Sequence, residues 1–268
     1  MKKIGLLAIL SLLSCKQETK NETTTTTTQV SDTISITKPA DSTKVIDLVK
    51  AEQEINILLP RGYRTYDKYN PANDLKKNWV ELNVRNGNYS IEKAHYTIKN
   101  DFDECSGDSL KVIIPKNKTL LYLDSKKLSL GNITSLPIKK DKIWPKDKTS
   151  FSFNGTEYFL RAEGQVLSSE KVYSNDDKLE LFQNVKNYKL YISTKDTPEK
   201  LLLKEESFND TFVKLLFVGD IDKDGKLDFI FDASRDYEEE RVLLFLSSPA
   251  KEGNLVEKVG EIEAQFDC

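Results

Sequence analysis

From residue 60 onward, apolar and polar residues alternate in short runs separated by turn signals. This is the period-two pattern of strands with one buried and one solvated face. Trp79-Val80-Glu81-Leu82-Asn83-Val84 alternates, Asn86-Gly87 is the residue pair that a type I′ turn demands, and Tyr89 to Ile98 reads as the return strand of a hairpin. Further strands are expected at 110–114, 120–123, 151–153 and 158–160, the last two about a second Asn-Gly pair, Asn154-Gly155. Runs at 166–168, 189–193, 201–204, 213–218, 227–231 and 242–246 complete the series. The pattern predicts a mainly β chain of antiparallel sheets, either a sandwich or a small propeller-like assembly. One short helix precedes them, capped by Asp41 or Ser42 and carrying Val45, Ile46, Leu48, Val49 and Ile55 on one apolar face.

Ahead of that helix the periodicity vanishes. Residues 16–44 are mostly Thr, Ser, Lys, Glu and Gln, with a threonine run at 23–28, which predicts a disordered tether. The chain begins with Met1-Lys2-Lys3 and the apolar run Ile4 to Leu13, too short to cross a bilayer as a helix, and so reads as a secretory signal. Its end, Leu12-Leu13-Ser14-Cys15, resembles the bacterial lipobox. The resemblance implies that Cys15 becomes the first mature residue and carries acyl chains, which hold the protein on a membrane. Lys16, where lipoproteins retained at the inner membrane carry Asp, points to the outer membrane. The expected organisation is a signal peptide at 1–14, a tether at 15–44 and a β-rich region at 45–268.

Composition adds constraints. Of 268 residues 38% are hydrophobic, enough for a core, and the net charge is −3. Lys and Arg are scattered rather than gathered on one element, so no nucleic-acid partner is expected. Export places the cysteines where disulfides persist. With Cys15 assigned to lipid, Cys105 and Cys268 are expected to be joined.

The strongest chemistry lies near the C-terminus, in Gly219-Asp220-Ile221-Asp222-Lys223-Asp224-Gly225-Lys226-Leu227-Asp228. Carboxylates at alternate positions, a glycine for a sharp turn and a fourth acid at Asp228 offer the oxygen cage that Ca²⁺ prefers. An EF-hand would need a Glu where Phe231 stands and helices on both sides, whereas the flanks here read as strands. The region about 210–250 instead resembles an FG-GAP/VCBS repeat, a calcium-binding β-hairpin loop. That resemblance implies side-chain ligands from Asp220, Asp222, Asp224 and Asp228 and a backbone carbonyl ligand from Lys226. With no evident open coordination position and its acids consumed as ligands, the loop gives the ion a structural role. No second copy of the motif is present.

Two other clusters stand out. Asp101, Asp103, Glu104 and Asp108 surround Cys105 at a spacing that matches no metal loop, and read as a solvated loop carrying the disulfide. Tyr63, Tyr66 and Tyr69 recur beside Arg61, Arg64 and Lys68 as a candidate surface for a protein or glycan, set against ordinary packing. His95 is the single histidine, and neither a nucleophile elbow nor a phosphate loop occurs. The reading is a non-catalytic, membrane-anchored envelope lipoprotein, a binding or structural module stabilised by one Ca²⁺. The alternatives are a periplasmic immunity or inhibitor lipoprotein that binds a toxin or hydrolase, and a glycan-active enzyme.

Overall fold

The computed structural model describes residues 55–173 and 177–266. The expected signal peptide, Cys15, tether and helix, and Cys268, lie outside them. All described residues belong to one compact unit, Ile46–Cys268.

The described residues form sixteen strands: β1 (Asn56–Leu58), β2 (Gly62–Arg64), β3 (Val80–Arg85), β4 (Asn88–Lys93), β5 (Tyr96–Phe102), β6 (Ser109–Pro115), β7 (Thr119–Asp124) and β8 (Gly131–Ser135) in the first half. The second half holds β9 (Lys148–Phe153), β10 (Thr156–Tyr173), β11 (Leu179–Thr194), β12 (Lys200–Ser207), β13 (Lys214–Asp220), β14 (Asp228–Asp232), β15 (Glu239–Leu246) and β16 (Glu257–Gln265). One 3-10 turn, Pro71–Asp74, interrupts them. All strand pairs are antiparallel, as the alternation predicts.

Nine strands make one sheet in the order β1-β7-β3-β4-β8-β13-β14-β15-β16. It curls until its edges meet, where the Ile55 amide donates to the Val259 carbonyl at 2.6 Å, giving a nearly closed barrel. Alternation then sorts the side chains. Ile57, Leu82, Leu121, Leu123, Ile230, Val242 and Leu244 fill the interior. Leu58 and Tyr122 point outward on one side, where they pack with Tyr63, Trp79 and Ile113 beneath the three-stranded sheet β2-β6-β5. Phe229, Phe231, Leu243 and Phe245 point outward on another side, against Phe151, Tyr158, Leu160, Tyr188 and Leu190 of the four-stranded sheet β12-β11-β10-β9. The architecture is thus a curled sheet with two smaller sheets layered on its outer faces.

A bulge in β13 lets it serve two cores. Leu215 pairs with Phe231 and Phe217 with Ile230, leaving Leu216 extra. The parity change turns Phe217 inward, edge-on to Tyr89 at 4.9 Å, while Leu215 and Val218 face the outer core. At Gly219 a Cβ would meet the Thr134 carbonyl oxygen at 2.4 Å, so only glycine lets β13 cross so close to β8.

Both Asn-Gly turns form as expected, with positive φ at Asn86 and Gly87 and at Asn154 and Gly155. The return strand of the first hairpin differs from expectation. It stops at Lys93: the Ala94 amide donates the last bond of the ladder to the Trp79 carbonyl, and the chain then leaves the barrel to enter the three-stranded sheet as β5. The expected short strands at 158–160 and 166–168 are parts of one long β10, paired with β11 along its length.

Candidate metal centre

The acidic motif is the connection between β13 and β14 at one end of the barrel. Two apolar residues within it fix its shape. Ile221 is fully buried in the barrel interior and Leu227 fully buried in the outer core, so the polar residues between them are displayed on an anchored loop. Gly225 takes φ +84°, the sharp turn for which the sequence calls.

The structure brings Asp220, Asp222 and Asp224 together, with one carboxylate oxygen from each lying within 4.8 Å of the others. Some of their oxygens organise the loop. Asp220 Oδ2 accepts from the Gly225 amide at 3.0 Å, Asp222 Oδ1 from the Asp224 amide at 3.3 Å, and Asp224 Oδ1 from the Lys226 amide at 2.9 Å. Others are left over. Asp220 Oδ1 and Asp222 Oδ2 are shut off from solvent and have no hydrogen-bond partner. A shielded carboxylate oxygen without a donor is costly, and a cation removes that cost.

Asp228 plays a different part. It is fully buried, and its Oδ2 accepts from the Ile221 amide at 2.6 Å and the Asp222 amide at 3.4 Å. Its Oδ1 accepts from the Ser247 amide at 2.8 Å and the Ser247 hydroxyl at 3.0 Å. It stands outside the group of three and ties the loop to the end of β15. Lys226 is exposed, and its amide serves Asp224. Burial pushes the Asp228 carboxyl well above its usual range, and the Asp222 charge adds to this. The Asp220 carboxyl is raised too, first by burial and then by Asp224 and Asp222, against the lowering effect of the Gly225 amide. These shifts describe a loop carrying more negative charge than its surroundings tolerate. Hard, clustered oxygens are the donor chemistry of Ca²⁺ rather than of softer metals, so the residues present fit that ion.

Two contributors escape the sequence. Ser247 bridges the loop, its hydroxyl 2.9 Å from Asp224 Oδ1 as well as near Asp228, and Asn154 in the β9–β10 turn donates to the Gly225 carbonyl at 2.9 Å. Neither lies near the motif in the chain, so no spacing rule points to them.

The remaining candidates are dispersed. Asp103 pairs with Arg64 at 2.7 Å and accepts from the amides of Cys105 and Ser106, which makes that acidic stretch a turn built on an ion pair. The Arg64 side chain holds the Asp103 carboxyl below its usual range, helped by the Cys105 amide. Cys105 is disulfide-bonded. Tyr63 is buried, its hydroxyl bonded to the amide and carbonyl of Leu59, whereas Tyr66 and Tyr69 are exposed across a tight turn. The three tyrosines therefore form no common surface. His95 is exposed. Glu81 and Glu92 are cross-strand partners, but Glu81 is fully buried and accepts from Asn117, Thr119 and the His95 amide, so it fastens the β4–β5 and β6–β7 connections to the barrel.

Comparison of the chain with family models, with curated proteins and with solved structures returns no match.

Proposed function

We propose that this is a non-catalytic envelope lipoprotein, anchored to the outer membrane through Cys15, whose β-barrel is a binding or structural module braced by one Ca²⁺. The observation that carries the metal reading is the pair of shielded, partnerless oxygens on Asp220 and Asp222, beside Asp224. An ion placed there links β13, β14 and, through Ser247, the end of β15. It holds strands together and activates nothing, since Asp228, the deepest carboxylate, is occupied by backbone amides. Thermal unfolding with Ca²⁺ and with EGTA tests this, because a ligand bound only by the folded state must raise its stability. A higher melting temperature in Ca²⁺, lost in Asp222→Ala/Asp224→Ala, is expected; equal values in all samples refute it. Replacing Cys15 by Ser is expected to move the protein from the membrane to the soluble fraction.

A second reading, a periplasmic immunity or inhibitor lipoprotein, draws on the β10–β11 ribbon. β9 pairs only with residues 156–161 and β12 only with 186–192, so the remainder of the hairpin extends beyond both neighbours. It exposes Tyr173, Leu179 and Leu181, which lie on one face of the ribbon by cross-strand pairing. Such a patch suits a protein partner. Co-purification of one dominant protein, abolished by Leu179→Lys/Leu181→Lys, would favour this reading.

A further inference from the structure

The barrel end that carries the acidic loop also holds a cavity of about 470 Å³, within the size range of small-molecule sites. Its floor is aliphatic, built from the buried side chains of Leu128, Leu246 and Val259, which close the packed barrel interior. Its rim is charged. Asp124, Lys126 and Lys127 line it on the β7–β8 connection, and Asp222 lines it from the loop. Asp222 therefore belongs both to the carboxylate cluster and to the cavity wall. Lys126 and Lys127 are exposed and form no ion pair among the described residues.

We propose that this cavity binds a small amphiphile, its aliphatic body on the Leu128–Leu246–Val259 floor and its anionic head at the rim between Lys126, Lys127 and the cation held beside Asp222. The inference rests on the cation reading above. Without the ion, the two lysines on the rim face the charges of Asp124 and Asp222, and an anionic head gains little. A divalent cation cancels two of the three clustered loop charges; the one that remains and Asp124 are then balanced by the two lysines, which removes the net repulsion of an anionic head. Cation and ligand thus favour each other, and each raises the affinity for the other by the same factor.

The test follows the methyl resonances of Leu128, Leu246 and Val259 in the full chain during titration with octanoate, with 1-octanol as the uncharged arm. Saturable shifts are expected, with octanoate bound about tenfold tighter in saturating Ca²⁺ than in EGTA, within the usual range of couplings between sites. Octanoate should raise Ca²⁺ affinity by an equal factor. The surface variant Lys126→Glu/Lys127→Glu should weaken octanoate about tenfold and leave octanol unchanged. Methyls that do not shift, in protein whose melting temperature does rise with Ca²⁺, overturn this inference and leave the cation reading intact. Equal affinities for octanoate and octanol overturn the anionic head. Octanoate binding indifferent to Ca²⁺, in protein whose melting temperature is also indifferent, overturns both readings together.

Discussion

Two hairpin connections in the same barrel make opposite demands on their surroundings. Between β3 and β4, Asn86 and Gly87 reverse the chain in two residues with positive φ, and a Cβ on Gly87 would meet nothing within 4 Å. That turn is complete in itself. Between β13 and β14, the chain takes a longer path, pins Ile221 and Leu227 into two different cores, and recruits Ser247 and Asn154 from elsewhere to satisfy its groups. After all of that, two carboxylate oxygens are still without donors. A connection that needs only to turn uses turn residues; one that concentrates shielded negative charge asks for a positive partner.

Breaking the loop should therefore cost more than breaking the turn, and only the loop should respond to Ca²⁺. The largest effect is expected from Asp228→Ala, which strands the buried amides of Ile221 and Ser247; about 3 kcal/mol of stability should be lost in denaturant titration. Ca²⁺ at a hundred times its Kd should add about 2.7 kcal/mol to the wild type and nothing to Asp222→Ala/Asp224→Ala. At the simple turn, Gly87→Ala forces an L residue into positive φ and should cost about 1 kcal/mol, equally with Ca²⁺ and with EGTA. A calcium-dependent cost there would erase the contrast between the two connections.

The smallest effect concerns pH. Because the Asp228 carboxyl is raised in the folded protein, its protonation favours folding. That contribution is fully present below the ordinary carboxylate range, near pH 4, and is lost as pH rises through the raised folded value. In EGTA, the stability of wild type relative to Asp228→Asn should accordingly increase on acidification. A difference that stays flat with pH, measured in denaturant titrations, would contradict the assigned shift.

How far the sequence reveals these features depends on how local they are. The Asn-Gly turns, the barrel strands β3, β4, β7, β13, β14 and β15 and the three clustered aspartates are legible because alternation, turn chemistry and acid spacing are properties of neighbouring residues. β16 is not, since its run Glu257-Lys258-Val259-Gly260-Glu261 carries few apolar residues and its pairing with β15 is what makes it a strand. From sequence the β10–β11 ribbon reads as separate short strands, because its polar middle is held by cross-strand pairing rather than by burial. The role of Asp228 as a clasp to β15 depends on Ser247, nineteen residues away, and became visible only with the fold. The curl of the sheet into a barrel likewise depends on β1 meeting β16 across the whole chain.

The most direct test of the account is a calorimetric titration of Ca²⁺ into the metal-free full chain, run beside Asp222→Ala/Asp224→Ala. The account predicts one saturable site in the wild type and none in the variant. A wild-type titration that releases only the heat of dilution, or a site that survives in the variant, would contradict it.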